Sequence, residues 1–298
     1  MRILLIGGTG MIGRALCRRW QGQGHDLIIW SRRPQQVPSV CKGARGVARL
    51  QEIAADEVID VVVNLAGAPI ADRRWSESRR KVLWQSRVEL TRELVSWLGQ
   101  RPSVPRILLS GSAVGWYGEG GDQSFDESTP AGKPDFASAL CAAWEQEAKS
   151  AAALGVRVVL LRTAPVLARK EGMLTRLVLP FSLGLGGRLG SGQQWMPWIH
   201  LDDAVGLIDF LLQQDACSEV FNVCAPEPVR NSEFTQALAR VLRRPAILAV
   251  PAWVLKLLLG DMSALLLGSQ RVYPQRTLAA GYRFRYPELA PALQSLLS

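Results

Sequence analysis

The opening Arg2-Ile-Leu-Leu-Ile-Gly-Gly-Thr-Gly-Met-Ile-Gly13 constrains the chain more than any other stretch, because an apolar run meets glycines and then an amphipathic segment. It reads as strand, tight turn and helix, with the helix over Met11 to Gln21 and Met11, Ile12, Ala15 and Leu16 on its apolar side. Gly7, Gly10 and Gly13 fall at G-x-x-G-x-x-G spacing, and each has a separate physical job. Gly7 can leave the strand with a positive φ, Gly10 lets the backbone approach a pyrophosphate, and Gly13 lets the helix pack against the sheet. The phosphates would sit at the helix N-terminus, where unpaired N–H groups and the positive dipole end point at them. Glycines can serve a turn alone, but a strand directly before and a periodic helix directly after make this an expected dinucleotide site. Its contacts would be Gly7, Thr9, Gly10, Met11, Ile12 and Gly13.

The next strand, His25 to Trp30, ends in Ser31-Arg32-Arg33-Pro34. An NAD site places Asp or Glu at this tip to accept from the ribose 2′-hydroxyl, whereas an NADP site replaces the acid with Arg and small polar groups for the 2′-phosphate. Ser31 and Arg32 without an acid predict NADP(H). Val58 to Gly67 follows as a β-branched run of the kind a parallel strand covered on both faces requires, ending in Asn64-Leu65-Ala66-Gly67. Small residues there leave room for a dinucleotide, so Leu65, Ala66 and Gly67 join the expected contacts. A helix is expected from Glu77 to Leu98, with Arg87 able to face that cleft or solvent. The strand Arg106 to Ser112 delivers Ser110 and Ser112 to the same edge, and Val156 to Arg162 is a further buried strand that leads into Thr163-Ala-Pro-Val166.

Bulk properties set the remaining limits. At 298 residues, 48% hydrophobic and 20% charged, the chain has material for one large domain or two coupled lobes. The net charge of +9 comes mainly from scattered arginines, which suit an anionic ligand or an ordinary solvated surface and give no nucleic-acid signal. Five dispersed cysteines without ligand spacing imply neither a disulfide framework nor a metal, and point to a reducing, cytoplasmic setting. The N-terminal run is too short and glycine-broken for a signal peptide. The apolar segment Ala246 to Gly268 is interrupted by Pro251, Lys256, Gly260 and Asp261, so it reads as a buried helix pair rather than a membrane span.

These motifs together resemble the extended short-chain dehydrogenase/reductase superfamily of NAD(P)-dependent epimerases and dehydratases, over nearly the whole chain. The resemblance is carried by the glycine loop, Asn64-Leu-Ala-Gly67, Ser110-Gly-Ser-Ala-Val-Gly-Trp-Tyr-Gly118, Pro197-Trp-Ile-His-Leu-Asp-Asp203 and Phe221-Asn-Val223. Within it the chain is most similar to an atypical "epimerase family protein" subfamily, by Arg74-Trp75, Gly184-Leu-Gly-Gly187, Gly190-Ser-Gly-Gln193, Pro197-Trp-Ile-His200 and Pro274-Gln-Arg-Thr277.

The resemblance implies a Tyr-x-x-x-Lys pair on the helix after the serine strand, where Lys lowers the phenol pKa and Tyr moves the proton. The corresponding helix is Asp135 to Glu147. Ala137 and Cys141 hold the two positions if Glu145 aligns with the usual acid one turn later, and Phe136 and Leu140 hold them if the register slips by one. Neither register supplies the pair. Lys133 precedes the helix, and Lys149 has Glu145 four residues earlier, so no group on this helix is expected to serve as acid or base. The resemblance also implies that Val166 meets the nicotinamide end. Ser112 matches the family's catalytic serine, and catalysis and mere lining both fit it. Tyr117 is a candidate substitute phenol with an expected pKa near ~10. His200 reads as a structural histidine paired with Asp203, with proton transfer as the other reading.

The expected architecture is a doubly wound α/β fold, a Rossmann domain over residues 1–166 and 201–224, with a smaller C-terminal substrate lobe over 167–200 and 225–298. There Asn231 or Ser232 would cap a helix with Phe234, Leu238 and Val241 facing inward. The expected function is an NADP(H)-binding epimerase-like or oxidoreductase-like protein acting on an unnamed small molecule, and the alternative is a non-catalytic NADPH sensor. Neither a membrane nor nucleic acid is an expected partner, and a homodimer is compatible with the reading.

Overall fold

The computed structural model describes residues 1–132 and 135–297, which leaves Lys133 outside the described residues. Seven short apolar strands, β1 (Arg2–Ile6), β2 (Asp26–Trp30), β3 (Arg45–Val47), β4 (Val61–Asn64), β5 (Ile107–Ala113), β6 (Arg157–Thr163) and β7 (Glu219–Val223), form one sheet. All pairs are parallel, in the order β7-β6-β5-β4-β1-β2-β3. The chain moves outward from β1 to β3, then crosses back to β4 and continues the other way. The order therefore reverses between β1 and β4, the place where open α/β sheets form a crevice at the strands' C-terminal ends.

Both faces of the sheet are covered, which explains why β4 and β5 read as continuous apolar runs. Helix α1 (Met11–Gly22) packs on one face through Leu16, Cys17 and Trp20. Helices α2 (Glu77–Trp84), α3 (Leu90–Gly99) and α4 (Phe136–Lys149) follow, and α3 and α4 cover the other face through Leu94, Leu98 and Ala148. The helix expected from Glu77 to Leu98 is not continuous: a π-helical turn at Gln85–Glu89 divides α2 from α3. Such turns insert one residue into the i→i−4 ladder and frequently mark functional positions.

The remaining helices of eight or more residues are α5 (Gly172–Ser182), α6 (Leu201–Gln213), α7 (Asn231–Leu242), α8 (Ala252–Leu259) and α9 (Leu289–Leu297). Helix α6 lies with α1 on the first face, while α5, α7 and α9 share a separate core containing Leu174, Phe181, Trp198, Phe234 and Leu293. Asp203 ties the C-terminal segment to α6 by accepting from Arg285 N at 2.7 Å and Tyr286 N at 2.9 Å. Among the described residues no helix is long and apolar enough to cross a membrane.

Two local expectations are corrected here. Neither Asn231 nor Ser232 caps α7: Arg230 stands at the N-cap, its N–H donates to Glu233 Oε2 at 2.7 Å, and Asn231 Oδ1 accepts from Leu189 N at 2.8 Å. The segment Ala246 to Gly268 is not a buried helix pair. It begins with a strand at Leu248–Val250, and α8 buries Leu255 while Trp253, Leu257 and Leu258 stand in solvent.

Candidate dinucleotide cleft and the polar network behind it

Register fixes what meets at the sheet's C-terminal edge. Ile6 is opposite both Trp30 and Asn64, Asn64 is opposite Ser110, and Ser112 is opposite Arg162. The residues just past these positions, Gly7, Ser31, Leu65 and Ala113, therefore line one rim.

The glycine loop shows why these positions lack side chains. Gly7 has φ +82°, and a Cβ on it would lie 2.7 Å from the Leu65 carbonyl oxygen, so Leu65 closes against the turn by its backbone. Gly10 is exposed at the N-cap of α1, and its N–H donates to Gly7 O at 3.0 Å. The first turn of α1 has no side-chain cap and no acid, so its N–H groups and dipole are available to an anion. This uncapped terminus beside an exposed glycine fits a pyrophosphate. Gly13 packs differently from expectation: a Cβ there would meet Gly7 O at 2.3 Å and Gly8 Cα at 2.6 Å, so the helix closes on the loop itself rather than on the sheet. Thr9 O accepts from Arg14 Nη1 at 2.5 Å, and Arg14 also pairs with Glu171, which begins α5. Met11 and Ile12 are half-buried against the first-face core.

At the β2 tip, Ser31 Oγ accepts from Arg33 N at 3.2 Å, and Arg32 is exposed beside it. Across the edge, Ala66 N donates to Asn64 Oδ1 at 3.2 Å. Gly67 is exposed, but the room expected there is already used: a Cβ would lie 2.8 Å from the Arg87 guanidinium carbon. Arg87 comes from the π turn, donates to Ala68 O at 3.0 Å, and lies 5.4 Å from the Trp144 ring centre. Burial lowers its pKa to about 10, which leaves it protonated at neutral pH. Among the described residues no carboxylate pairs with it. Val166, on a short strand opposite Ile199, is buried at the end of the chain leaving β6.

Behind this rim lies a buried polar chain. Ser112 donates to Glu145 Oε1 at 2.7 Å. Arg162 grips the same carboxylate through Nε at 2.8 Å and Nη2 at 3.0 Å, and donates through Nη1 to the Tyr117 phenol oxygen at 3.1 Å. Tyr117 donates to Asn222 Oδ1 at 2.8 Å, and Asn222 N donates to Glu127 Oε1 at 2.9 Å. Arg162 also lies 3.9 Å from the centre of the Trp116 ring.

Tyr117 is 1% exposed and stacks on Phe125 at 5.2 Å. Burial pushes its pKa up to about 12 despite Arg162 and Asn222, so the expectation of an ordinary phenol near ~10 is corrected. Its hydroxyl is committed to the interior.

The structure also decides between the two helix registers. Ala137 and Cys141 are the residues that α4 turns toward Gly115, where a Cβ would lie 3.5 Å and 3.6 Å from them. Phe136 instead packs its ring on Trp75 at 5.2 Å, and Leu140 joins the same apolar cluster. The Cys141 thiol, pushed up to about 12 by burial, is no substitute for an amine. On the same helix Glu145, one turn beyond Cys141, accepts from Ser112 and so meets the rim only through that hydroxyl. Lys149 Nζ stands 4.0 Å from Glu145 Oε2.

His200 is structural, although its partner differs from the expected Asp203. Its Nδ1 accepts from Asp202 N at 3.0 Å as the N-cap of α6, and its ring packs at a tilt of 36° against Tyr286, centres 4.0 Å apart. Burial lowers its pKa. Sequence reasoning assigned no role to Glu145 or Arg162. The usable signal was a charge in apolar company: Arg162 ends the run Val158 to Leu161, and Glu145 follows Trp144 on the buried side of its helix.

The model of the NAD dependent epimerase/dehydratase family matches residues 3–224. A domain of unknown function, DUF1731, matches residues 250–296. The chain is 36% identical over 301 residues to mouse epimerase family protein SDR39U1, covering 100% of both chains. It is also 36% identical over 302 residues to epimerase family protein YfhF of Bacillus subtilis, covering 100% of this chain and 98% of that one. Human epimerase family protein SDR39U1 (isoform 2), solved with NADPH, superposes with a TM-score of 0.90 at 35% identity, covering 100% of this chain and 99% of that one. A UDP-galactose 4-epimerase shares the fold at 22% identity and a TM-score of 0.75, covering 100% of this chain and 97% of that one.

Proposed function

We propose, since the chain belongs to the NAD dependent epimerase/dehydratase family, that it binds NADPH at the C-terminal edge of its sheet and is oxidoreductase-like, working without a Tyr-x-x-x-Lys pair. The observation that carries the cofactor reading is the uncapped, acid-free N-terminus of α1 beside exposed Gly10, facing a β2 tip of Ser31 and Arg32. The human relative solved with NADPH supports it. The α1 terminus would hold the pyrophosphate, and Ser31 with Arg32 the 2′-phosphate. Leu65 and Ala66 line the switch point, Arg87 supplies a cation beside it that no carboxylate among the described residues pairs, and Val166 bounds the nicotinamide end.

Bound there, the cofactor supplies a hydride for exchange with carbon. The chain's own contribution centres on Ser112. Because its hydrogen is given to Glu145, Ser112 offers lone pairs rather than a donor to the cleft, an arrangement that receives a substrate hydroxyl better than it polarises a carbonyl. A second reading, a non-catalytic NADPH sensor, is favoured by the same inward commitment of the Ser112 and Tyr117 hydroxyls.

Fluorescence titration of the purified protein with NADPH and NADH tests the cofactor assignment. Tighter NADPH is expected. Equal affinities would overturn the NADP preference, and no binding of either would overturn the reading. An NADPH-absorbance screen against ketones and alcohols then separates enzyme from sensor.

A further inference from the structure

Two thiols lie directly beneath the glycine loop. Cys17, on α1, and Cys41, just past the short helix Val37–Val40, are both free and buried, and their sulfurs converge on one atom. Cys17 Sγ is 3.9 Å and Cys41 Sγ 3.3 Å from the Gly8 carbonyl oxygen, and the two thiols are close enough that each shifts the other's titration. Each belongs to a different half of the cofactor site. Cys17 lies on the helix whose N-terminus faces the phosphates, and Cys41 ends the segment that begins with Ser31 and Arg32.

We infer that Cys17 and Cys41 form a reversible disulfide under a low-molecular-weight disulfide such as glutathione disulfide, and that this oxidation weakens NADPH binding; the coupling rests on the cofactor reading above. Cys41 is the residue to react first. Val40 and Lys42 on either side of it are exposed, and the helix before it is a single turn, so a local opening brings the thiol to solvent. The neighbouring Cys17 thiol, together with nearby Arg14 and Arg18, favours the Cys41 thiolate. After losing its proton to water, Cys41 attacks one sulfur of glutathione disulfide and releases one glutathione thiolate. Cys17 then loses its proton and attacks the mixed disulfide at Cys41 Sγ, releasing the second glutathione. Two protein thiols are oxidised and one small disulfide is reduced to two thiols.

The consequence for the cofactor follows from Gly8. Its buried carbonyl has both S–H groups as donors, and a disulfide has no S–H to give. An acceptor left unpaired between Gly7 and Gly10 disturbs the turn that shapes the phosphate cradle. Affinity should fall about tenfold or more, the usual effect of stranding one buried acceptor.

The experiment uses the full-length protein, reduced with dithiothreitol and then freed of it, treated with glutathione disulfide, and assayed by NADPH fluorescence titration and by mass spectrometry of non-reduced tryptic peptides. A Cys17–Cys41 linked peptide, at least a tenfold weaker NADPH Kd, and recovery of both with dithiothreitol are expected. Cys41→Ser and Cys17→Ser should each lose the oxidant response, whereas Cys141→Ser should keep it. Absence of the linked peptide, or the linked peptide with unchanged affinity, overturns the inference while leaving the cofactor reading intact. Failure of the reduced protein to bind NADPH overturns the cofactor reading and the coupling together.

Discussion

Ser112 gives its hydroxyl hydrogen to Glu145 at 2.7 Å, while Glu145 is held on its other side by two bonds from Arg162 at 2.8 and 3.0 Å. The side chains of Glu145 and Arg162 are 1% and 3% exposed, so this pair has little water to fall back on. Glu145→Ala should therefore cost about 3–5 kcal/mol of stability, because it leaves a buried guanidinium without its carboxylate. Urea denaturation measures this. Replacing both partners with apolar residues should recover much of the loss, and a cost below about 1 kcal/mol for the single change would show that water reaches Arg162 readily.

Arg32 is exposed at the β2 tip with no acid beside it. Arg32→Ala should weaken NADPH by about 1.5–3 kcal/mol, the worth of a charge-assisted phosphate contact, and leave NADH unchanged. Equal losses for the two cofactors would mean that Arg32 acts on the loop's shape and not on the 2′-phosphate.

The glycine loop separates binding from folding. A Cβ on Gly13 would enter the Gly7–Gly8 backbone at 2.3 to 2.6 Å, whereas one on Gly10 meets only Gly7 O at 3.2 Å. Gly13→Ala should lower stability by about 1–3 kcal/mol through overpacking and lose NADPH binding as well. Gly10→Val should lose binding with a small change in thermal midpoint. Full NADPH affinity in Gly10→Val would reduce the loop to a turn.

How far the sequence reaches is clearest at two places. The β1 to α1 unit is legible because strand, glycine spacing and helix period are local and each has one physical solution. The Glu145–Arg162 pair is not, since it joins a helix to a strand whose adjacency is set only when β5 and β6 pair. The π turn under Arg87 was equally hidden: periodicity extends through Glu77 to Leu98, and one inserted residue shifts the face without breaking the apolar pattern. That insertion belongs with the packing of Arg87 against Gly67 and over Trp144. The solvent-facing side of α8 is hidden in an apolar run, because burial depends on what else covers the helix.

His200 gives the fold a pH response. Burial lowers its pKa, so below the unfolded-state value of about 6.5 the unfolded chain binds more protons than the folded one. The stability associated with the neutral ring is fully present above that value and is lost as pH falls through the lower, folded value. The slope is at most about 1.4 kcal/mol per pH unit. His200→Asn keeps an acceptor for Asp202 N and should show a flatter profile from pH 7 downward, read from thermal midpoints against wild type. Identical profiles would place the acid sensitivity in other groups.

The chemistry should be slow wherever a proton must move. Positioned acid–base catalysis supplies ~10²–10⁴ in rate, and here Ala137 and Cys141 face the loop after Ser112 where a phenol and an amine would stand. Tyr117 cannot replace them, because its hydroxyl is bonded to Asn222 and its pKa is up to about 12. Glu145 reaches the cleft only through Ser112, and its two bonds from Arg162 fix it where it orients the hydroxyl. The expected result with nucleotide sugars, ketones and quinones is NADPH consumption that is slow or absent, with any turnover reduced by Ser112→Ala and little affected by Tyr117→Phe. Fast turnover of a nucleotide sugar that survives Ser112→Ala would sink this account, and a bell-shaped pH profile for that turnover would then be the route to the acid and base that the cleft conceals.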